Sequence, residues 1–454
     1  MMPPPRSRDK PLSVVNLKNA GLGTIIFVAW PVALSTLLTQ LMIIVDAFWI
    51  GRLGSVALAA VGVAGSVFWV LVALSQLTNA PTMAFVARFA GANDRPQAQA
   101  ALFHGLLLAV FLGVFLAFAG VPLSRPILSL FGASPEVMKV GTPYLVILFV
   151  ILPFVYFSAA SFTAMQATGD TLSPLLVSAG SNVINLVLDP LLIFGWLGFP
   201  RLGVLGAGIA TAVATLFNVI AALIILSRRG LLGVVPPRLA ILVRFLKVGF
   251  FAMIQGITRP LTGLVMFYIV GLSGVVAQAA FTVGLRIIGI PFIFLTGLTV
   301  ATQSLVGQYL GARKPLAASR IVRLSSLSGF LLQVILSTLL FLAAGWLVGV
   351  FAPGQDEVIK VGSAYLRVLA PFLLILPFSM AWSGAQYGAG RTLGPAVAAV
   401  AANWIVKLPL AFVLSQIVGM DTTGVWLAIG ASVVVETAVN WGYFASGKWK
   451  KGAL

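Results

Sequence analysis

Apolar residues run along this chain in blocks of roughly 20 to 30, with polar positions gathered between them. A helix of that length crosses a bilayer core with some tilt. The blocks predict twelve helices near residues 18–50, 55–86, 97–121, 136–164, 171–197, 204–228, 241–271, 275–307, 316–350, 357–386, 393–418 and 423–446. Turn chemistry separates them, as at Gly51 to Gly54, Gly91 to Pro96, Gly230 to Pro237 and Gly311 to Pro315. Strands of an outer-membrane barrel alternate over about ten residues, and these runs do not alternate. Lipid offers backbone groups no partners, so each spanning element must satisfy its own. Met1 to Lys10 is polar and proline-rich and the first apolar run exceeds a signal core, so no cleavable leader is expected. The predicted fold class is an all-α integral membrane protein with twelve transmembrane helices.

Composition sharpens this picture. Of 454 residues, 60% are hydrophobic and only 8% charged, against about 25% charged in soluble proteins. The basic residues are placed unevenly. The tails and even-numbered breaks carry nineteen, and the odd-numbered breaks five: Arg52, Arg125, Lys139, Arg201 and Lys360. This bias predicts that both termini are cytoplasmic. Together with few acids, it explains the net charge of +18. The bases are scattered over loops rather than gathered on one domain, so nucleic acid is not an expected partner. Cysteine is absent, which removes disulfides and thiolate metal sites.

The chain also resembles itself at an offset of about 220 residues. Val56 to Ala60 matches Val276 to Ala280, and Gly91-Ala92 matches Gly311-Ala312. Val137, Lys139, Val140, Gly141 and Tyr144 match Val358, Lys360, Val361, Gly362 and Tyr365. Gly169, Thr171, Leu172 and Pro174 match Gly390, Thr392, Leu393 and Pro395; Asn182 matches Asn403, and Gly203-Val204 matches Gly424-Val425. Each half holds an even number of spans, so the halves share one orientation. They are expected to form two six-helix bundles around a central cavity, a plan common among transporters. The division reads as a tail over 1–17, a first lobe over 18–228, a linker over 229–240, a second lobe over 241–446 and a tail over 447–454.

Three acids fall well inside predicted spans: Asp46, Asp189 and Glu436. An acid at membrane depth costs a few kcal/mol and persists where it meets a polar cavity, a bound ion or a base. Low-dielectric surroundings favour the neutral form of a carboxyl group, which suits one that loads and releases a proton. Asn182, Asn185 and Asp189 step by three and four, so they share a helix face. Pro190 frees the Leu186 carbonyl from its helical hydrogen bond. That stripe suits a proton or a small cation, or else serves as polar glue between helices. Asp46 ends a stripe through Thr39 and Met42 or Ile43, or else sits near the interface with Arg52. The second half repeats neither acid: Met266 stands opposite Asp46 and Leu410 opposite Asp189. It carries embedded bases instead, at Arg259, Arg286, Arg367 and Lys407. Glu436 is expected to form a structural ion pair with one of them, Arg367 or Lys407. Tyr144, Tyr156, Met165 and Tyr268 are candidates for lining a cavity for flat or amphiphilic compounds. His104 is expected at an interface.

Several separated motifs resemble the multidrug and toxic compound extrusion (MATE) family. They are Pro31 with Asp46-x-x-Trp49-x-Gly51-x-Leu53-Gly54, and the run from Ala301 to Ala312. Gln166 to Asp170, Asn185-x-x-x-Asp189-Pro190 and Gly203-Val204-x-Gly206-Ala207-x-x-Ala210-Thr211 add to them. The resemblance covers nearly the whole chain and is nearest the branch of the DNA-damage-inducible transporter and its archaeal relatives. It implies export of drugs or amphiphilic metabolites against inward protons, or alternatively sodium, with no cofactor and no resident metal. It places functional acids at Asp46 and Asp189, with Tyr144, Asn185 and Thr211 as polar neighbours. Thr39 holds the position of a family glutamine, with Gln40 adjacent, and Ile43 stands where the family has asparagine. The partners implied are a small-molecule substrate and the lipid bilayer of a plasma membrane, and the expected unit is a monomer.

Other classes fit less well. A lipid-linked precursor flippase of the same superfamily is the alternative, supported by the four embedded bases. A channel would need a ring of charges or a filter-like loop. An enzyme would need a nucleophile with a base, a metal-ligand cluster or a phosphate-cradling loop, and the loops hold none of these.

Overall fold

A computed structural model of the chain describes residues 11–17 and 21–451. The basic residues Arg6, Arg8, Lys10 and Lys18 of the predicted amino-terminal tail lie outside the described residues. The first eight helices are α1 (Leu22–Gly51), α2 (Ser55–Leu74), α3 (Gln76–Gly91), α4 (Arg95–Leu130), α5 (Pro135–Val150), α6 (Leu152–Ala167), α7 (Leu172–Phe194) and α8 (Val204–Arg228). The second series runs α9 (Leu239–Gly271), α10 (Val275–Gly311), α11 (Pro315–Leu342), α12 (Ala344–Phe351), α13 (Asp356–Leu373) and α14 (Leu376–Gly388). It closes with α15 (Leu393–Val400), α16 (Leu408–Phe412) and α17 (Asp421–Ala445), where α16 is flanked by π-helical turns at Ala401–Lys407 and Val413–Ile417. Among the described residues, ten helical stretches are long and apolar enough to span a membrane alone. Two bent pairs bring the number to twelve: α5 with α6 at 45°, and α13 with α14 at 54°. The all-α, twelve-helix, two-lobe membrane architecture thus matches the sequence pattern.

Local chemistry explains the ends and bends. Asp94 caps α4 by accepting the Gln97 N–H at 3.2 Å, and Ser134 caps α5 by accepting the Val137 N–H at 3.4 Å. Each bent pair has a proline at the start of its second helix, Pro153 in α6 and Pro377 in α14. Proline has no N–H for the preceding turn, so the hydrogen-bond ladder breaks there. Helix α4 lies tightly against the first bend. A Cβ added at Gly113 would stand 2.5 Å from the Pro153 Cα, so only glycine permits that approach.

The chain divides into two compact units, one of Met1–Val14 with Leu34–Gly249, the other of Val15–Ala33 with Phe250–Leu454. This differs from the division read from loop chemistry, which gave all of α1 to the first lobe and began the second at residue 241. Packing accounts for part of the difference: Ile25, Val28 and Ala29 belong to one apolar core with Ala301, Leu305 and Val306. The first unit's largest core joins Ile50, Ala64, Leu128, Leu145, Tyr156 and Ile193. The second unit's joins Met266, Phe281, Tyr365, Leu369, Val425 and Trp426. Met266, the counterpart of Asp46, is therefore a core residue.

The linker after α8 is fastened to the first unit. Arg95 donates to the carbonyls of Arg229 and Gly230 at 3.0 and 3.3 Å, and Gln99 to Gly230 at 3.0 Å. Arg229 pairs with the buried Asp170 at 2.5 Å. His104, expected at an interface, is fully buried beneath the linker. Its Nε2 accepts the Arg238 N–H at 2.9 Å while Nδ1 meets the Ala100 carbonyl at 2.7 Å. The proton therefore sits on Nδ1. His104→Ala is expected to remove about 1 kcal/mol of linker docking. Trypsin should then cut after Arg238 about fivefold faster; an unchanged rate would exclude this anchoring role.

Candidate functional site

Helix α7 presents Asn182, Asn185 and Asp189 along one stripe. Asp189 is 1% exposed and Asn185 6%. The Asn185 side-chain amide donates to Asp189 Oδ1 at 3.4 Å. Pro190 follows directly inside the helix, so the turn carrying Asp189 lacks one backbone hydrogen bond. The helix ends at Gly195, whose φ of 76° turns the chain back. The Leu202 and Gly203 N–H groups then bond the Leu192 and Ile193 carbonyls at 2.9 and 3.1 Å. This return lays α8 against α7, and the Ser181 hydroxyl ties the pair by donating to the Ala214 carbonyl at 3.0 Å.

Aromatic packing sets the second acid beside the first. Trp49, one turn beyond Asp46 on α1, meets Phe194 and Trp196 edge-on, with centroids 6.0 and 5.8 Å away. Phe194 and Trp196 stack on each other at 5.9 Å. The cluster holds the end of α1 against the end of α7, so that the half-buried Asp46 carboxyl group lies beside that of Asp189. Two carboxyl groups this close repel when both are ionised, so the arrangement favours retaining a proton on one of them. Asp46 Oδ1 and Asp189 Oδ2 are buried and receive no N–H or hydroxyl. Tyr144 of α5 is buried and within electrostatic range of both acids. Gly208 makes room for its ring: a Cβ there would come within 3.2 Å of it. Arg52, the alternative partner for Asp46, instead lies over the rings of Phe48 and Trp49 at 4.5 and 5.2 Å.

Other predicted residues fall at varying distances from this centre. Asn182 is half-buried, and its Nδ2 has no partner. The Thr211 hydroxyl is committed to the Ala207 carbonyl of its own helix at 3.0 Å. Thr39 and Gln40 are exposed on α1, and Thr39 donates to the Ser35 carbonyl at 3.0 Å. Tyr156 and Met165 are core residues rather than cavity lining, with the Tyr156 hydroxyl bonded to the Leu71 carbonyl, while Tyr268 is exposed. The sequence reading missed Trp49 as the anchor and Asn218 of α8, whose buried Oδ1 has no partner. The spacing of Thr211, Thr215 and Asn218 was the available signal, since it puts all three on one face.

The second unit holds a different cluster. Glu436 of α17 bonds Arg259 of α9 at 3.1 Å. This corrects the expected pairing with Arg367 or Lys407. Arg367 is exposed on α13. Lys407 donates to Asn403 at 2.5 Å within the π-helical turn and stays within electrostatic range of Glu436 and Arg259. The Tyr387 hydroxyl donates to Gln255 nearby. No group of three or more metal-ligating side chains occurs among the described residues.

A helical membrane protein in two repeated lobes, with paired acids buried in only one, is organised as a membrane transporter. The chain belongs to the MatE family, whose profile matches residues 31–191 and again 252–413, once in each half. It is 28% identical over 438 residues to the "Probable multidrug resistance protein NorM" of Thermotoga maritima, covering 95% of this chain and 93% of that one. It is 26% identical over 430 residues to the "Probable multidrug resistance protein YoeA" of Bacillus subtilis, covering 93% and 92%. A solved structure described as MATE in the bent conformation superposes with a TM-score of 0.89 at 23% identity, over 96% of this chain and 97% of that one. At that identity the likeness establishes the fold.

Proposed function

We propose that this chain exports drugs or amphiphilic metabolites across the plasma membrane in exchange for inward protons. The observation that carries the reading is the neighbouring Asp46 and Asp189 carboxyl groups, with buried oxygens that have no hydrogen-bond partner and no cationic partner among the described residues; two such acids side by side favour holding a proton. The names of the multidrug relatives supply the substrate class. Protonating the pair neutralises it and lowers the cost of closing apolar surroundings over it. Deprotonation restores a negative site that attracts a cationic or polar substrate. Coupling then follows if protonated and substrate-loaded forms favour opposite openings of the two lobes in alternating access. Both termini lie on the cytoplasmic side in this reading, and the monomer is the working unit. Sodium is the second candidate ion, because two carboxylates and the Asn185 amide oxygen also suit a small cation.

The test is efflux of a fluorescent dye from vesicles containing the purified protein. An imposed pH gradient is expected to drive efflux, and a sodium gradient at uniform pH is not. Efflux under the sodium gradient alone would reassign the ion. Efflux under neither gradient would overturn antiport and favour the flippase.

A further inference from the structure

We propose that the second unit carries a binding site for an anionic phospholipid, in the groove between the start of α11, the first half of α14 and the end of α17. The groove has a volume of about 680 Å³. Three cations line it: Arg320, Arg323 and Lys450. All three are exposed, and none has a carboxylate partner among the described residues. The wall is aromatic. Phe378 packs on Trp382 at 5.8 Å, Trp382 stacks on Phe444 at 5.8 Å, and Phe444 stacks on Trp449 at 5.1 Å. Trp449 is 1% exposed and donates to the Phe444 carbonyl at 3.1 Å, so the segment bearing Lys450 is held in place.

Polarity is graded along this groove. Arg320 and Lys450 stand near the helix ends, and Leu327 lies seven residues further into α11, about 10 Å deeper. Charge at the mouth and apolar surface below match a phosphate headgroup joined to an acyl chain. A soluble phosphate would use only the mouth. Ser326 supplies a second, independent observation. It lines the groove and is 4% exposed, and its hydroxyl has no hydrogen-bond partner. A buried hydroxyl without a partner is costly, and a phosphate or glycerol ester oxygen in the groove would satisfy it. By the charge bias of the loops this end of the helices faces the cytoplasm, where anionic lipids attract basic pockets. The site is separate from the carboxyl pair, and it does not depend on which ion drives transport.

The test is lipid retention by the whole protein. It is purified from vesicles of phosphatidylcholine with phosphatidylglycerol, and bound lipid is counted by native mass spectrometry. The wild type is expected to retain phosphatidylglycerol over phosphatidylcholine, and millimolar inorganic phosphate is not expected to displace it. Arg320→Gln/Arg323→Gln/Lys450→Gln is expected to lower that retention about tenfold or more. Leu327→Trp, which fills the groove and leaves the charges, is expected to lower it as well. Arg228→Gln/Arg244→Gln/Lys247→Gln removes equal charge from the other unit and is expected to leave retention unchanged. Equal loss in both triple variants would reduce the effect to general surface charge and overturn the site. Displacement by inorganic phosphate, or unaltered retention in the groove variants, would overturn it too.

Discussion

Asp189→Asn is expected to abolish gradient-driven export while leaving insertion and folding intact. The amide has nearly the shape of the carboxyl group, and its oxygen can still accept the Asn185 N–H that now reaches Asp189 at 3.4 Å. Only the half-buried Asp46 is then left to ionise, and the enclosed carboxyl group is gone. An ion drives a conformational equilibrium only through its different affinity for the two states. Without the enclosed titrating group the pH gradient no longer biases the two states, and driven efflux should fall to the leak rate, about a hundredfold or more. Asp46→Asn should be milder, because Asp46 is half-buried and Asp189 keeps its ionisable group in the enclosed position. Substrate binding measured without a gradient separates coupling from recognition. It should weaken in Asp189→Asn and lose its dependence on pH, while remaining detectable, since a neutral residue there resembles the protonated, substrate-releasing state. Normal driven export by Asp189→Asn would sink the coupling assignment. Loss of both export and folded protein would instead point to a structural role for the pair.

What the sequence disclosed about this site follows from what is local in a helix. Asn182, Asn185 and Asp189 could be placed on one stripe because a helix fixes its own periodicity. Asp46 stood out because a charge inside a 30-residue apolar helix demands a reason. The spans were legible because lipid imposes length and apolarity on each segment separately. The bends at Pro153 and Pro377 were less so, since proline inside a membrane helix often leaves it continuous. Partner choice between distant helices was not legible. Glu436 and Arg259 are 177 residues apart, and helix packing alone decides that they meet. The same holds for Trp49 against Phe194 and Trp196, and for His104 beneath Arg238. Ile25, Val28 and Ala29 at the start of α1 join the second unit because they pack into its core, which no loop signal reports.

Glu436→Gln is expected to destabilise the protein by leaving two cations without a counter-charge. Arg259 and Glu436 meet at 3.1 Å, with side-chain exposures of 46% and 13%, and Lys407 lies close to both. Removing one partner of an embedded pair strands the other, and the cost of a charge at membrane depth returns. Partial exposure of Arg259 reduces that cost to about 3 kcal/mol. Thermal unfolding in detergent should begin about 6–12 °C lower. Arg259→Met added to Glu436→Gln should recover most of the loss, because Lys407 keeps Asn403 as its acceptor at 2.5 Å and no unpaired guanidinium remains. A single variant as stable as the wild type would show that the pair contributes nothing. A double variant no better than the single one would show that Glu436 serves Lys407 rather than Arg259. Transport distinguishes the structural reading from a second coupling site. If Glu436 only neutralises Arg259, the double variant should export at close to the wild-type rate under a pH gradient. If it carries protons, restoring stability will not restore export.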